Sequence, residues 1–168
     1  MGFLQLATAR YSVRAYSRQP VEKEWVDVIL EAARVAPTAC NRQPQRIMVI
    51  TTPDELAKVD ECTPCRFGAP LVFLICYDMD VCWKRSFDGA NSGDVDASII
   101  TTHMMMQAHE LGLGSCWVMY FDPAKTRELF NLPEHIIPVA YLPVGYPVAD
   151  AKPADGHTKS VGIKEMLL

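Results

Sequence analysis

The run Leu71–Tyr77, LVFLICY, constrains this chain more than any other stretch. It holds no charge and no turn residue, and four of its seven side chains are β-branched or aromatic. The enclosing apolar run, Ala69 to Tyr77, falls well short of the roughly 20 residues that a membrane crossing needs. It therefore reads as a strand buried in a layered core. With 168 residues and 49% hydrophobic side chains, one domain can supply the layers.

The rest of the chain alternates between helix and strand. Trp25, Val28, Ile29, Ala32 and Ala36 follow helical spacing, which predicts a helix over Glu22–Ala36 that Pro37 stops. Arg46–Thr51 reads as a strand. Thr52, Pro53 and Glu55 then form a helix-start signature of capping hydroxyl, first-turn proline and returning carboxylate. A long helix is expected over Asp94–Leu111, apolar around its whole circumference, with Leu113-Gly114 closing it. Ser115–Phe121 reads as a third strand, Asp122-Pro123 opens a short helix to about Phe130, and Ile136–Val144 reads as a fourth strand. The Pro-, Ala- and Lys-rich segment from Tyr146 onward reads as irregular, with a partner or a ligand to wrap. The class is α/β (α+β), a single domain over residues 1–168.

Sixteen basic against 20 acidic residues give a formal charge of −4. That excludes a general nucleic-acid binder, while leaving room for a local basic pocket that takes a phosphate. No membrane partner is expected. Arg10 arrives too early for a signal-peptide core, and Leu6 stands where a myristoylation signal needs Ser or Thr. The six cysteines are therefore read as reduced thiols in a cytoplasm, Cys76 and Cys116 as small core residues.

Two stretches carry candidate chemistry. In an extended segment, Arg10, Ser12 and Arg14 share one side. Two guanidiniums flanking a hydroxyl suit a phosphate, though a solvated basic stretch would look the same. The loop Pro37–Pro44, PTACNRQP, offers Asn41 and Gln43, whose amides both donate and accept. They match the mixed edge of a flavin pyrimidine, or simply cap a helix end.

RYSVRAY (10–16), APTACNRQP (36–44), LGLGSCWV (111–118) and LPVGYP (142–147) follow one another in a telling order and at telling intervals. Over nearly its whole length the chain resembles the nitroreductase-like FMN-dependent oxidoreductase family. The resemblance implies a mixed sheet flanked by helices, built as an intertwined homodimer with one FMN in each of two interface sites. It implies that Arg10, Tyr11, Ser12 and Arg14 meet the FMN phosphate, ribityl chain or ring edge. Pro37, Thr38, Ala39, Asn41 and Gln43 would face the FMN bound mainly by the partner subunit. Trp117, Val118 and Met119 would line the ring through their backbone, with an N–H near Met119 aimed at flavin N5. In the family a basic pair near the C-terminus closes on the phosphate. Here the stretch is HTKSVGIKEMLL, in which Lys159 is the best match and His157 can assist. Larger members carry a helical lid, for which this chain has little room between Cys76 and Asp94.

The implied activity is reduction of a nitro compound, quinone or similar small acceptor by NADH or NADPH in alternating half-reactions. No catalytic side chain is expected, because the flavin carries the hydride. Enone reduction, dehalogenation of aromatics and non-enzymatic flavin storage are the alternatives. Cys62 and Cys65 form a Cys-x-x-Cys, but no thioredoxin-like order surrounds it and no zinc-ligand spacing completes it, so no metal is expected. His103 and His109 read as satisfied polar residues, Met104–Met106 as core filling or a dimer seam, and Trp83–Arg85 as a loop, either plain surface structure or a wall of the acceptor pocket.

Overall fold

The computed structural model describes residues 2–168. Four strands form one sheet in the order β1-β2-β4-β3, with every strand pair antiparallel. They are β1 (Gln45–Ile50), β2 (Leu71–Asp78), β3 (Gly114–Ser115) and β4 (Ile136–Gly145). The helices are α1 (Phe3–Ala9), α2 (Lys23–Val35), α3 (Pro53–Cys62), α4 (Gly93–Glu110) and α5 (Pro123–Leu129). Among the described residues the one parallel element is an isolated bridge, Ser12 to Ser115.

Side-chain alternation along β2 builds the layers. Leu71, Phe73, Ile75 and Tyr77 point to a core shared with Ile29 and Ala33 of α2 and with Ala97, Ile100, Met104 and Ala108 of α4. Val72, Leu74 and Cys76 point the other way, onto Val59 and Cys62 of α3, Phe130 and Tyr141. Every residue of β2 is buried, because helices cover both faces. A bulge between Ile75 and Cys76 breaks the pairing with β4, where Ala140 and Pro138 are the successive partners. The skipped Val139 turns into the α2–α4 core, and Pro138, which has no N–H for the ladder, sits beside the irregularity.

Most boundaries fall within a residue of the sequence expectation. At the start of α3 the hydroxyl of Thr52 accepts from the Glu55 amide at 3.4 Å, while the Glu55 carboxylate accepts from that same hydroxyl at 2.7 Å. The returning carboxylate thus locks the cap instead of the backbone. α4 ends one step earlier than Leu113-Gly114. Gly112 adopts φ 79°, its N–H donates to His109 O, and the Leu113 N–H donates to Ala108 O at 2.9 Å. Gly114 has a different duty: a Cβ there would lie 2.5 Å from Val13 Cγ2, so only glycine lets the N-terminal segment lie against β3.

Two elements depart further. The expected strand over Ser115–Phe121 is a two-residue β3 followed by a single bridge, Val118 to Tyr141. The chain then turns out of the sheet, with Phe121 N–H donating to Met119 O and with Met119 and Tyr120 exposed. The short helix α1 had no expectation attached. It buries none of its residues, and Phe3 and Leu4 are 76% and 77% exposed. No helix of the described residues is long and apolar enough to cross a membrane.

Candidate functional site

The N-terminal segment after α1 is extended, and buried Val13 and Tyr16 hold it down. Val13 N–H donates to Ser115 O at 3.0 Å, and the Tyr16 hydroxyl donates to Val13 O and Pro143 O. Burial raises the Tyr16 hydroxyl far above the ordinary tyrosine range, so it stays a donor. This leaves Arg10, Tyr11 and Ser12 half-buried and Arg14 exposed. Burial likewise pushes the Cys116 thiol up, while Arg14, the Ser12 hydroxyl and Arg10 each act to lower it. Ser12 is bridged to Ser115, next to Cys116 at the start of the Cys116–Met119 stretch.

The C-terminal segment closes over this cluster. It runs antiparallel to the N-terminal one, with Tyr16 bridged to Pro147 and Val148 N–H donating to Ala15 O. The His157 ring lies edge-on to Tyr11 at 6.1 Å between centroids. A cavity of about 250 Å³ is lined by Tyr11, Ser12, Arg14, Ala154, Gly156 and His157. A neighbouring one is lined by Arg10, His157, Thr158 and Ser160 together with Ala7 and Thr8. His157 thus stands in both cavities. Lys159 is exposed and lines neither.

Trp117 and Val118 continue from Cys116 toward opposite faces of the sheet, Trp117 packing against the α2–α4 core and Val118 in the other. The Trp117 indole N–H is buried and has no acceptor among the described residues. Met119 is 68% exposed, and no hydrogen bond among the described residues uses its N–H. The two cavities thus hold two guanidiniums, the Ser12 hydroxyl and an imidazole, and the nearby Cys116–Met119 stretch adds an unpaired indole N–H and a free backbone amide. That set fits a phosphorylated heterocycle, FMN among them.

The Pro37–Pro44 loop lies elsewhere. Cys40, Asn41 and Gln43 all adopt left-handed backbone, with φ of 50°, 52° and 49°. Such conformations cost about 1 kcal/mol or more each for non-glycine residues, asparagine least. Asn41 N–H donates to Thr38 O, Gln43 N–H to Thr38 Oγ1 and Gln43 Nε2 to Asn41 Oδ1. Pro37, Cys40, Asn41 and Gln43 are exposed, and Thr38 and Ala39 half-buried. Ala39 N–H reaches out of the loop to Asp96 Oδ1 at 2.9 Å.

Asp96 marks the N-terminal end of α4. Its C-terminal end lies by the first cluster, where burial and Arg10 together lower the pKa of His109. From Asp96 to His109 the helix rises about 20 Å at ~1.5 Å per residue. Within one chain, the arginine cluster and the Pro37–Pro44 loop are at opposite ends of α4.

Asp96 escaped the sequence reading. The available signal was a carboxylate on the same stripe as Ile100 and Met104, both fully buried. Cys62 is buried and Cys65 half-buried, and neither is bonded to sulfur. Among the described residues no group of three or more His, Cys, Asp or Glu side chains could hold a metal ion. His103 is exposed, its ring Nδ1 2.9 Å from Ile99 O. Trp83 to Arg85 belong to an exposed turn closed by a Lys84–Asn91 bridge and by an Arg85–Asp88 ion pair.

The chain belongs to the nitroreductase family, whose model matches residues 7–63 and 64–146. A candidate NADH dehydrogenase/NAD(P)H nitroreductase of Methanothermobacter thermautotrophicus is 30% identical over 161 residues, spanning 88% of this chain and 78% of that protein. A nitroreductase family protein from Clostridium difficile 630 superposes with a TM-score of 0.94 at 43% identity, over 100% of this chain and 98% of the other. An FMN-dependent nitroreductase from Clostridium difficile R20291 superposes with a TM-score of 0.76 at 28% identity, over 95% and 99%.

Proposed function

We propose that two copies of this chain hold FMN at their shared surface and use NADH or NADPH to reduce a small acceptor, such as a nitro compound or a quinone. The observation that carries this reading is the separation of the two walls along α4. A pocket formed by the arginine cluster of one protomer and the Pro37–Pro44 loop of its partner needs no rearrangement of either. A pocket closed by one chain alone would have to span about 20 Å. A second copy also gives α1 a purpose. Phe3 and Leu6 line an apolar groove with Val28, Ala32 and Val35 of α2 and Met106 of α4, and association would cover it.

Bound FMN supplies hydride transfer at N5. Arg10, Arg14 and Ser12 would hold the phosphate and His157 would cover it. The Met119 N–H, unused among the described residues, would give the ring a backbone donor that stabilises electron density on it. Trp117 would offer its indole N–H, and the partner's copy of the loop would bring the Asn41 and Gln43 amides to the ring. The protein's work in these roles is orientation and electrostatics.

Adding FMN to the apo-protein tests this reading. Quenching of flavin fluorescence is expected to saturate at one FMN per chain, with light scattering reporting a dimer. Tight FMN binding by a monomer would contradict the shared site. Product analysis with nitroaromatics, quinones, enones and halogenated aromatics then identifies the acceptor.

A further inference from the structure

We propose that Asp96 is the positioning residue of the Thr38–Gln43 loop, holding it through the Ala39 amide in its left-handed conformation. The inference rests on the reading that this loop meets FMN, and it adds the element that presets the loop before the cofactor arrives.

Asp96 is 1% exposed. Its two oxygens each receive one donor: Ala39 N–H on Oδ1 at 2.9 Å and Ser92 Oγ–H on Oδ2 at 2.7 Å. It has no ion-pair partner among the described residues. Burying a carboxylate against two neutral donors costs desolvation that an apolar side chain on the Ile100–Met104 stripe would avoid. Ser92 adds a second cost. It occupies the N-cap of α4 yet caps no amide, and its hydroxyl donates to Asp96. Both expenditures are directed at one group outside the helix, the Ala39 N–H.

The loop needs such a tie. Three left-handed non-glycine residues persist only where surrounding structure over-determines them. The other hydrogen bonds of Thr38–Gln43 stay within the loop or reach Arg46 in the adjoining strand. Only the Asp96 bond joins the loop to α4. Because the bond ends on a backbone amide, Asp96 sets the loop's position whatever side chains the loop carries.

The test pairs a flavin-independent readout with a flavin-dependent one. Amide exchange over Pro37–Pro44 is measured without FMN, and the FMN Kd by fluorescence quenching, for wild type, Asp96→Ala and Asp96→Asn. In Asp96→Ala, exchange at Ala39 and the FMN Kd are each expected to rise about tenfold or more, the loss expected for a buried hydrogen bond to a charged acceptor. Asp96→Asn keeps an oxygen for the Ala39 N–H and is expected to recover most of both, leaving a change of about threefold. Unchanged exchange at Ala39 in the alanine variant would overturn the proposal. So would faster exchange with an unaltered Kd. If Asp96→Ala does not fold, Asp96→Asn decides, and wild-type values of both readouts count against the proposal. A wild type that takes up no FMN would sink the cofactor reading instead, while exchange at Ala39 would still judge the clamp.

Discussion

Replacing Arg10 and Arg14 together with alanine is expected to raise the Kd for FMN about a hundredfold or more, while the melting temperature stays within a few degrees of wild type. Each guanidinium gives the phosphate a charge-assisted hydrogen bond, worth about 1.5–3 kcal/mol. Losing two removes at least ~3 kcal/mol, which is about a hundredfold in affinity. Stability should hardly change, because neither arginine forms an ion pair among the described residues, and Arg14 bonds only Ser12 O, at 3.4 Å. Arg14→Lys keeps the charge and loses the planar fork, so its affinity should fall between the two. Titration calorimetry with FMN and with riboflavin separates the phosphate contribution. Riboflavin affinity should be the same in wild type and double variant. Equal FMN affinity in the two proteins would place the phosphate elsewhere.

The second large effect is on stability. Phe73→Ala is expected to cost about 3–5 kcal/mol, and Phe73→Leu under about 2 kcal/mol. Phe73 is 0% exposed and lies mid-strand in β2, paired with Val49 on one side and Leu142 on the other. Its ring fills the layer between the sheet and helices α2 and α4. Truncation leaves a cavity that two rigid helices and a paired strand cannot collapse into. Met119→Ala, at an exposed position, should stay within about 0.5 kcal/mol. Urea denaturation at fixed protein concentration measures all three, concentration being held because association would add to apparent stability. A Phe73→Ala loss near 1 kcal/mol would mean that the core repacks around the site.

What the sequence disclosed follows from locality. The helices and strands that carry the core were legible because periodicity and caps are local signals: Ile29 and Ala36 on the stripe of α2 (though Trp25 and Val28 on it stay exposed), the run in β2, Asp122 accepting from the Ala124 and Lys125 amides to start α5. The strand that was misjudged, Ser115–Phe121, has β-like composition, but its course depends on a remote partner. Gly114, Ser115, Cys116 and Val118 find β4, and Met119 turns away. α1 was illegible because nothing in one chain covers Phe3 and Leu4, so no buried stripe could mark it.

The site divides in the same way. Arg10, Ser12 and Arg14 stood out from spacing, and Ser12 and Arg14 line one cavity while Arg10 lines its neighbour. Resemblance named Lys159 with His157 assisting, and the geometry puts His157 against Tyr11, a contact across more than a hundred residues that no spacing rule encodes. Asp96 was missed because its partner, the Ala39 amide, is a backbone group 57 residues away. Glycine at 114 looked like a helix stop, and its real constraint is the Val13 side chain from a distant segment.

The most direct test of a flavin shared by two copies and reduced by a nicotinamide is an anaerobic absorbance spectrum of the FMN-loaded protein, with NADH and NADPH added in turn. The visible flavin bands should bleach with at least one of them and return when a nitroaromatic or quinone is admitted. Loaded protein whose flavin neither nicotinamide bleaches would contradict the account and leave a module that binds FMN without turning it over.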